Sequence, residues 1–269
     1  MNTHLQLATA MHLSLVILGV SLPLPAATDT GEAAVLVRES ERRIKSQSEK
    51  TSYRMELLDA SGQVQQTRGI ELHYKRTPAA ETSLFKFTSP PVVQGTGLLI
   101  ADSGQVVNDI WMYLPTTRRI RRIAGAEKSN WFMGTEFTHE DFEDYKPDAY
   151  NFRIETADAA CGEQQRCHVV SAVPSDAAER DASGYGRKVY WIEKRSMYPV
   201  RVDYIDKTGA AVKRLDVRKL VEAGAYWRPK VYEMKNLANG RITRLTTLSR
   251  EVDVAMDDYF VSQRYLRAD

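Results

Sequence analysis

The sequence predicts a mainly β protein, with one antiparallel domain of about eleven strands following a single helix. Three observations carry this expectation. From Thr51 onward, segment after segment alternates apolar and polar residues with a period of two. Turn chemistry such as Asn239-Gly240 separates those segments. No internal repeat, low-complexity tract or linker divides the chain.

The chain opens with Met1 to Ala27, which contains no Asp, Glu, Lys or Arg, and whose centre from Leu13 to Leu22 is almost wholly apolar. The run is too short to span a bilayer and is followed by Pro23, Pro25 and the small pair Ala26-Ala27. That is the profile of a signal peptide cleaved near Ala26 or Ala27, so 1–27 is expected to be removed and 28–269 to form one exported domain. No Cys lies near the cleavage site to take a lipid anchor, which implies a soluble product. The mean hydropathy of −0.42 agrees. Lys and Arg number 37 against 35 Asp and Glu, a net charge of +2, which lends no support to nucleic acid binding.

After the leader, Asp29 and Glu32 can cap a helix in which Ala33, Leu36, Val37, Ser40 and Ile44 share one face. Tyr53, Met55 and Leu57 then alternate with charged residues, as do Ile70, Leu72 and Tyr74, and Ala60-Ser61-Gly62 turns the first strand into the second. Further strands are expected at Leu84 to Phe87, Gly97 to Ala101, Asn108 to Leu114, Tyr150 to Thr156, Cys167 to Val173 and Arg187 to Glu193. The clearest is Tyr198 to Ile205, which Lys207-Thr208-Gly209 turns into Ala211 to Leu220. The last pair, around Trp227 to Lys235 and Ile242 to Leu248, is joined at Asn239-Gly240. So many strands in one domain imply a strongly curved sheet or a partial barrel.

One strand lacks a wet face. Ile110, Met112 and Leu114 point one way and Trp111 and Tyr113 the other, so both faces are apolar and both must be covered. One face can meet the core and the other a packed helix; alternatively one lines a cavity for an apolar ligand.

The two cysteines, Cys161 and Cys167, read as one disulfide stapling a loop between two strands in an exported protein. Enzyme signatures are missing: there is no Gly-x-Ser-x-Gly elbow, phosphate-binding Gly-rich loop or His-Glu-x-x-His, so neither catalysis nor a cofactor is expected. His139-Glu140-Asp141-Phe142-Glu143-Asp144 groups metal-ligating types, but reads as a solvated acidic segment with Phe142 packed inward. Arg118, Arg119, Arg121 and Arg122 either pair with the acidic residues from Glu136 to Asp144 or form a site for anionic headgroups or a partner.

Together these residues carry a resemblance. The run Asp109 to Pro115, the arginines through Ile123, the stretch Ser129 to Thr138 and Glu140-Asp141-Phe142 resemble the outer-membrane lipoprotein-sorting protein family related to the periplasmic carrier LolA. Tyr226-Trp227-Arg228-Pro229, Met234 and Asn239-Gly240 fit its closing strands, and the likeness runs from about Val35 to about Tyr265. The resemblance implies a half-open antiparallel barrel around a hydrophobic cavity, helical lid segments, a periplasmic location and a ligand of lipid or lipoprotein acyl chains. It also implies work beside an inner-membrane exporter of the resistance-nodulation-division type. The block from Arg118 to Phe142 is a long insertion by comparison with the carrier, whose ligand residues are therefore not carried over.

A soluble carrier must offer apolar surface in place of water, at about 25 cal/mol per Å² removed from solvent. Trp111, Tyr113, Trp131, Phe132, Met133 and Phe137 are the expected lining. A periplasmic lipid-sensing regulator, or an exporter accessory subunit without a ligand, are the alternatives.

Overall fold

A computed structural model describes residues 30–102, 104, 108–143 and 147–268. The expected signal peptide, Asp29 and Asp144 lie outside the described residues. Helix α1 (Thr30–Ile44) has Glu32 in its first turn and Arg42 and Arg43 in its last, complementing the helix dipole. Ala33, Val37 and Ser40 are buried, as the apolar face predicts, and pack toward Phe152, Val170 and Ile192. The Ser40 hydroxyl donates to the Met197 carbonyl at 2.6 Å.

Six strands follow: β1 (Ser48–Leu58), β2 (Val64–Arg76), β3 (Glu81–Ser89), β4 (Gly97–Asp102), β5 (Asp109–Leu114) and β6 (Arg119–Ile123). A connection with 3₁₀ turns at Gly125–Ser129, His139–Phe142 and Pro147–Ala149 leads to β7 (Tyr150–Ala160) and β8 (Arg166–Pro174). Helix α2 (Ala177–Ala182) precedes β9 (Tyr185–Glu193), β10 (Pro199–Asp206), β11 (Ala211–Ala223), β12 (Tyr226–Asn236) and β13 (Ile242–Val252), and helix α3 (Gln263–Arg267) closes the chain.

All thirteen strands belong to one antiparallel sheet in the order β6-β5-β4-β3-β2-β1-β13-β12-β11-β10-β9-β8-β7. The expectation of about eleven strands is corrected to thirteen, and the sheet is not closed into a barrel, since β6 and β7 are its two unpaired edges. Strand β6 was hidden because its arginines mask the alternation. Its ladder to β5 uses backbone groups, which exposed charges on an edge do not disturb.

Pairing of β1 with β13, where Met55 lies opposite Leu245, joins two consecutive meanders into one sheet. Laid flat at ~4.8 Å per strand, β5 and β10 would stand about 38 Å apart. Yet Ile110 and Met112 of β5 and Val202 and Tyr204 of β10 share one buried cluster. The sheet is therefore curled, with its concave face inside.

The connection from β6 to β7 helps fill that concavity. Phe132 stacks on Phe87 with ring centroids 5.5 Å apart, Phe142 meets Phe85 at 4.9 Å, and Phe137 meets Tyr232 at 6.5 Å. Burying each of these rings contributes roughly 1.5–3 kcal/mol.

On the convex face, Tyr113 packs with Leu84 and Leu99 beneath Leu266 of α3. The second apolar face of β5 is thus covered by a helix. The Cys161–Cys167 disulfide, with Cα atoms 5.9 Å apart, staples the β7–β8 hairpin as the spacing predicts.

Candidate functional site

Between α1 and the concave face lies a cavity of about 260 Å³. Val37 and Ile44 of α1, Leu72 of β2, Phe85 of β3, Phe142 of the connection and Tyr190 of β9 give it mainly apolar walls. It exists because α1 packs on the β7–β9 side of the concave face, which leaves the helix bridging over β1 to β3 without filling the space below.

One end of the cavity is charged. Arg228 Nε donates to Glu49 at 2.8 Å, its Nη2 donates to the Ser46 hydroxyl at 3.1 Å, and Arg250 Nε donates to the other Glu49 oxygen at 2.9 Å. At the rim, Lys45 bridges Glu41 at 2.5 Å and Glu81 at 2.8 Å. Burial works against the Lys45 charge, but the two carboxylates outweigh it and raise its pKa.

Tyr190 also walls a second chamber of about 180 Å³, lined by Glu140, Glu143, Glu179, Tyr150 and Lys188 among others. Lys188 Nζ sits 5.1 Å from the Tyr185 ring centroid, 5.8 Å from that of Tyr150 and 6.0 Å from that of Tyr204. Among the described residues it has no hydrogen-bond acceptor and no carboxylate within ion-pairing distance. Burial opposes its charge, yet the surrounding tyrosine oxygens and Glu140 together raise its pKa well above the ordinary lysine value.

The chamber's carboxylates, by contrast, are all engaged. Glu140 accepts from the Ser183 hydroxyl at 2.7 Å and the Gly184 amide at 2.8 Å, and Glu179 accepts from the Tyr150 hydroxyl at 2.7 Å. Glu143 pairs with Lys128 at 2.6 Å. Burial raises the Glu140 carboxyl and pushes Glu143 up to about 7, with Lys128 only partly opposing it.

Asp141 pairs with Lys213, their side chains 0% and 1% exposed, and accepts from the Tyr185 hydroxyl at 2.9 Å. The acidic segment is therefore not solvated, contrary to expectation. It packs against the concave face of the sheet, where the buried Lys128 pairs with Glu143 and the buried Lys213 of β11 pairs with Asp141. Its Phe142 does pack inward. Among the described residues, no group of three His, Cys, Asp or Glu side chains is placed to hold a metal ion.

The residues expected to line one cavity are divided between two faces. Phe132 and Phe137 are buried in the main core on the concave side, and Met133 packs against it in a left-handed conformation, φ 50°. Its carbonyl accepts from Arg68 at 2.8 Å. Trp131 is 49% exposed. Trp111 and Tyr113 lie on the convex face with α3. None of the six lines the cavity beneath α1.

Arg118, Arg119, Arg121 and Arg122 are exposed on and beside β6. Arg121 pairs with Glu127 at 2.8 Å and Arg122 with Asp109, so their partners are not in the acidic segment from Glu136 onward. Sequence reasoning missed Glu49, Lys188, Tyr190 and Arg228 as site residues. Each sits in an ordinary strand pattern, and only the meeting of β1, β9 and β12 around one concavity singles it out.

Solved structures described as an outer membrane lipoprotein-sorting protein domain and as a LolA superfamily protein share this fold. A domain described as an outer membrane lipoprotein-sorting protein, from Vibrio parahaemolyticus, has 26% identity and a TM-score of 0.81, over 89% of this chain and 100% of that one. A DUF1329 family protein from Desulfovibrio piger shares the fold at a TM-score of 0.80 and 23% identity, over 88% of this chain and 98% of that one. A LolA superfamily protein from Nitrosomonas europaea does so at 0.66 and 14%, over 87% and 98%. A family model described as that of an uncharacterized protein matches residues 79–268, and the chain belongs to that family. No curated protein matches it.

Proposed function

We propose that this chain is a periplasmic carrier that takes an acyl chain of a lipid or lipoprotein into the cavity beneath α1 and works beside an inner-membrane exporter. The observation that carries this reading is the mainly apolar cavity roofed by one helix on the concave face. The Vibrio protein's description as lipoprotein-sorting supports it.

Each methylene taken from water contributes about 0.8 kcal/mol. Releasing a chain into water costs the same, so delivery requires a partner that receives it directly. Among the described residues, no helix is long and apolar enough to cross a membrane. The task we assign is to shuttle cargo between membranes. The walls offer mainly apolar contact area, which suits carriage of a chain.

Protein isolated from cells should carry acyl-chain mass in native mass spectrometry. Ile44→Trp, which fills the cavity from its roof, should arrive empty while remaining folded. Equal loading of the two proteins would end this reading. We assign partner contact to the exposed Arg118, Arg119, Arg121 and Arg122. Replacing all four by Ser should weaken co-sedimentation with anionic vesicles and leave chain capture unchanged.

A further inference from the structure

Resting on the carrier reading, we propose that the ligand is a single-chain amphiphile with a carboxylate head, its chain beneath α1 and its head on Lys188. Size supports one chain. A cavity of ~150 Å³ accommodates benzene, so one of about 260 Å³ accommodates about ten carbons. A lipid anchor with several long chains exceeds it.

Position supports Lys188. Tyr190 forms part of the wall of both chambers, so a chain lying in the first has its end one side chain away from the second. Chemistry supports a carboxylate. The Lys188 ammonium presents three donors to the chamber, and the tyrosine rings stabilise its charge without accepting hydrogen bonds in the usual geometry. A carboxylate oxygen gives those donors a charge-assisted hydrogen bond, which is stronger than one to a neutral acceptor.

The chamber of about 180 Å³ admits a small head and not a glycerophosphate. Its carboxylates, Glu140, Asp141, Glu143 and Glu179, already have their own donors and do not compete for the ammonium. With those carboxylates held by their own donors, the one remaining ammonium offsets a single negative charge, which disfavours a dianion.

The test compares decanoate, decanol and decyltrimethylammonium by calorimetry at pH 6, on the whole protein and on Lys188→Met. The wild type should bind decanoate about tenfold or more tightly than decanol, and the substitution should bring that ratio near one. Equal affinity for decanoate and decanol in the wild type, or a preference surviving in Lys188→Met, overturns the head assignment while the carrier reading stands. Binding of none of the three overturns both.

A second measurement needs no variant. The carboxyl ¹³C resonance of labelled decanoate bound to wild-type protein should titrate at lower pH than the free acid, because the ammonium favours the ionised head. A midpoint unchanged or moved upward overturns the assignment.

Discussion

Buried charges in this protein depend on their partners, and single substitutions should expose that dependence. Asp141→Asn leaves the Lys213 ammonium buried beside a neutral amide, and should cost about 3–5 kcal/mol in denaturant unfolding. Replacing both residues by apolar ones of similar size should cost less, since no uncompensated charge remains. Glu143 differs, because burial raises its carboxyl to about 7. A carboxyl raised in the folded state contributes stability that is fully present below the unfolded value near 4.5 and is lost as pH rises through about 7. Stability measured from pH 5 to 8 should therefore fall across that window in the wild type and fall less in Glu143→Gln. An unchanged slope would mean that Glu143 is not the group responsible. The carboxylates were visible in the sequence as a cluster, but their lysine partners were not, because Lys213 lies 72 residues from Asp141 along the chain.

Individual elements differ in how firmly they are held. Helix α1 is joined to the sheet by small and medium apolar contacts and by the buried bond from Ser40 to Met197. Ser40→Ala should remove about 1 kcal/mol and speed amide hydrogen exchange in α1 more than in β1. Uniform exchange across both elements would argue against a separately opening roof. The β7–β8 hairpin has the disulfide as its own constraint, and Cys161→Ala with Cys167→Ala should cost roughly 2 kcal/mol, read as a lower midpoint of thermal unfolding. The helix, the disulfide and most strands were legible because each is written in local spacing. Strand β6 was not, since an edge strand needs no apolar alternation on the side that faces water.

At the level of the whole molecule, the chain's late strands stand at the sheet's centre. Strand β13 lies between β1 and β12, so a chain ending after Asn239 would lose the strand that joins the two meanders. Such a truncation should give no cooperative unfolding transition by circular dichroism, whereas the double cysteine variant should keep one. A pairing formed between the first and last strands also closes a loop of nearly the whole domain, which predicts slow folding for this size.

Alternation, turn chemistry and cysteine spacing are local quantities, and from them the sequence by itself determined an antiparallel β domain, its opening helix, its hairpins and its staple. The resemblance carried by the block from Trp111 to Phe142 also pointed to the right family of folds. Which face of β5 turns inward, where the aromatic connection lies and which residues surround the cavity were decided only by the tertiary structure. The physical reason is that curling a sheet of thirteen strands brings β1, β2, β3, β9 and β12 around one space. Their residues are remote in the chain, and each obeys the same period of two whether it faces a ligand or a dry core.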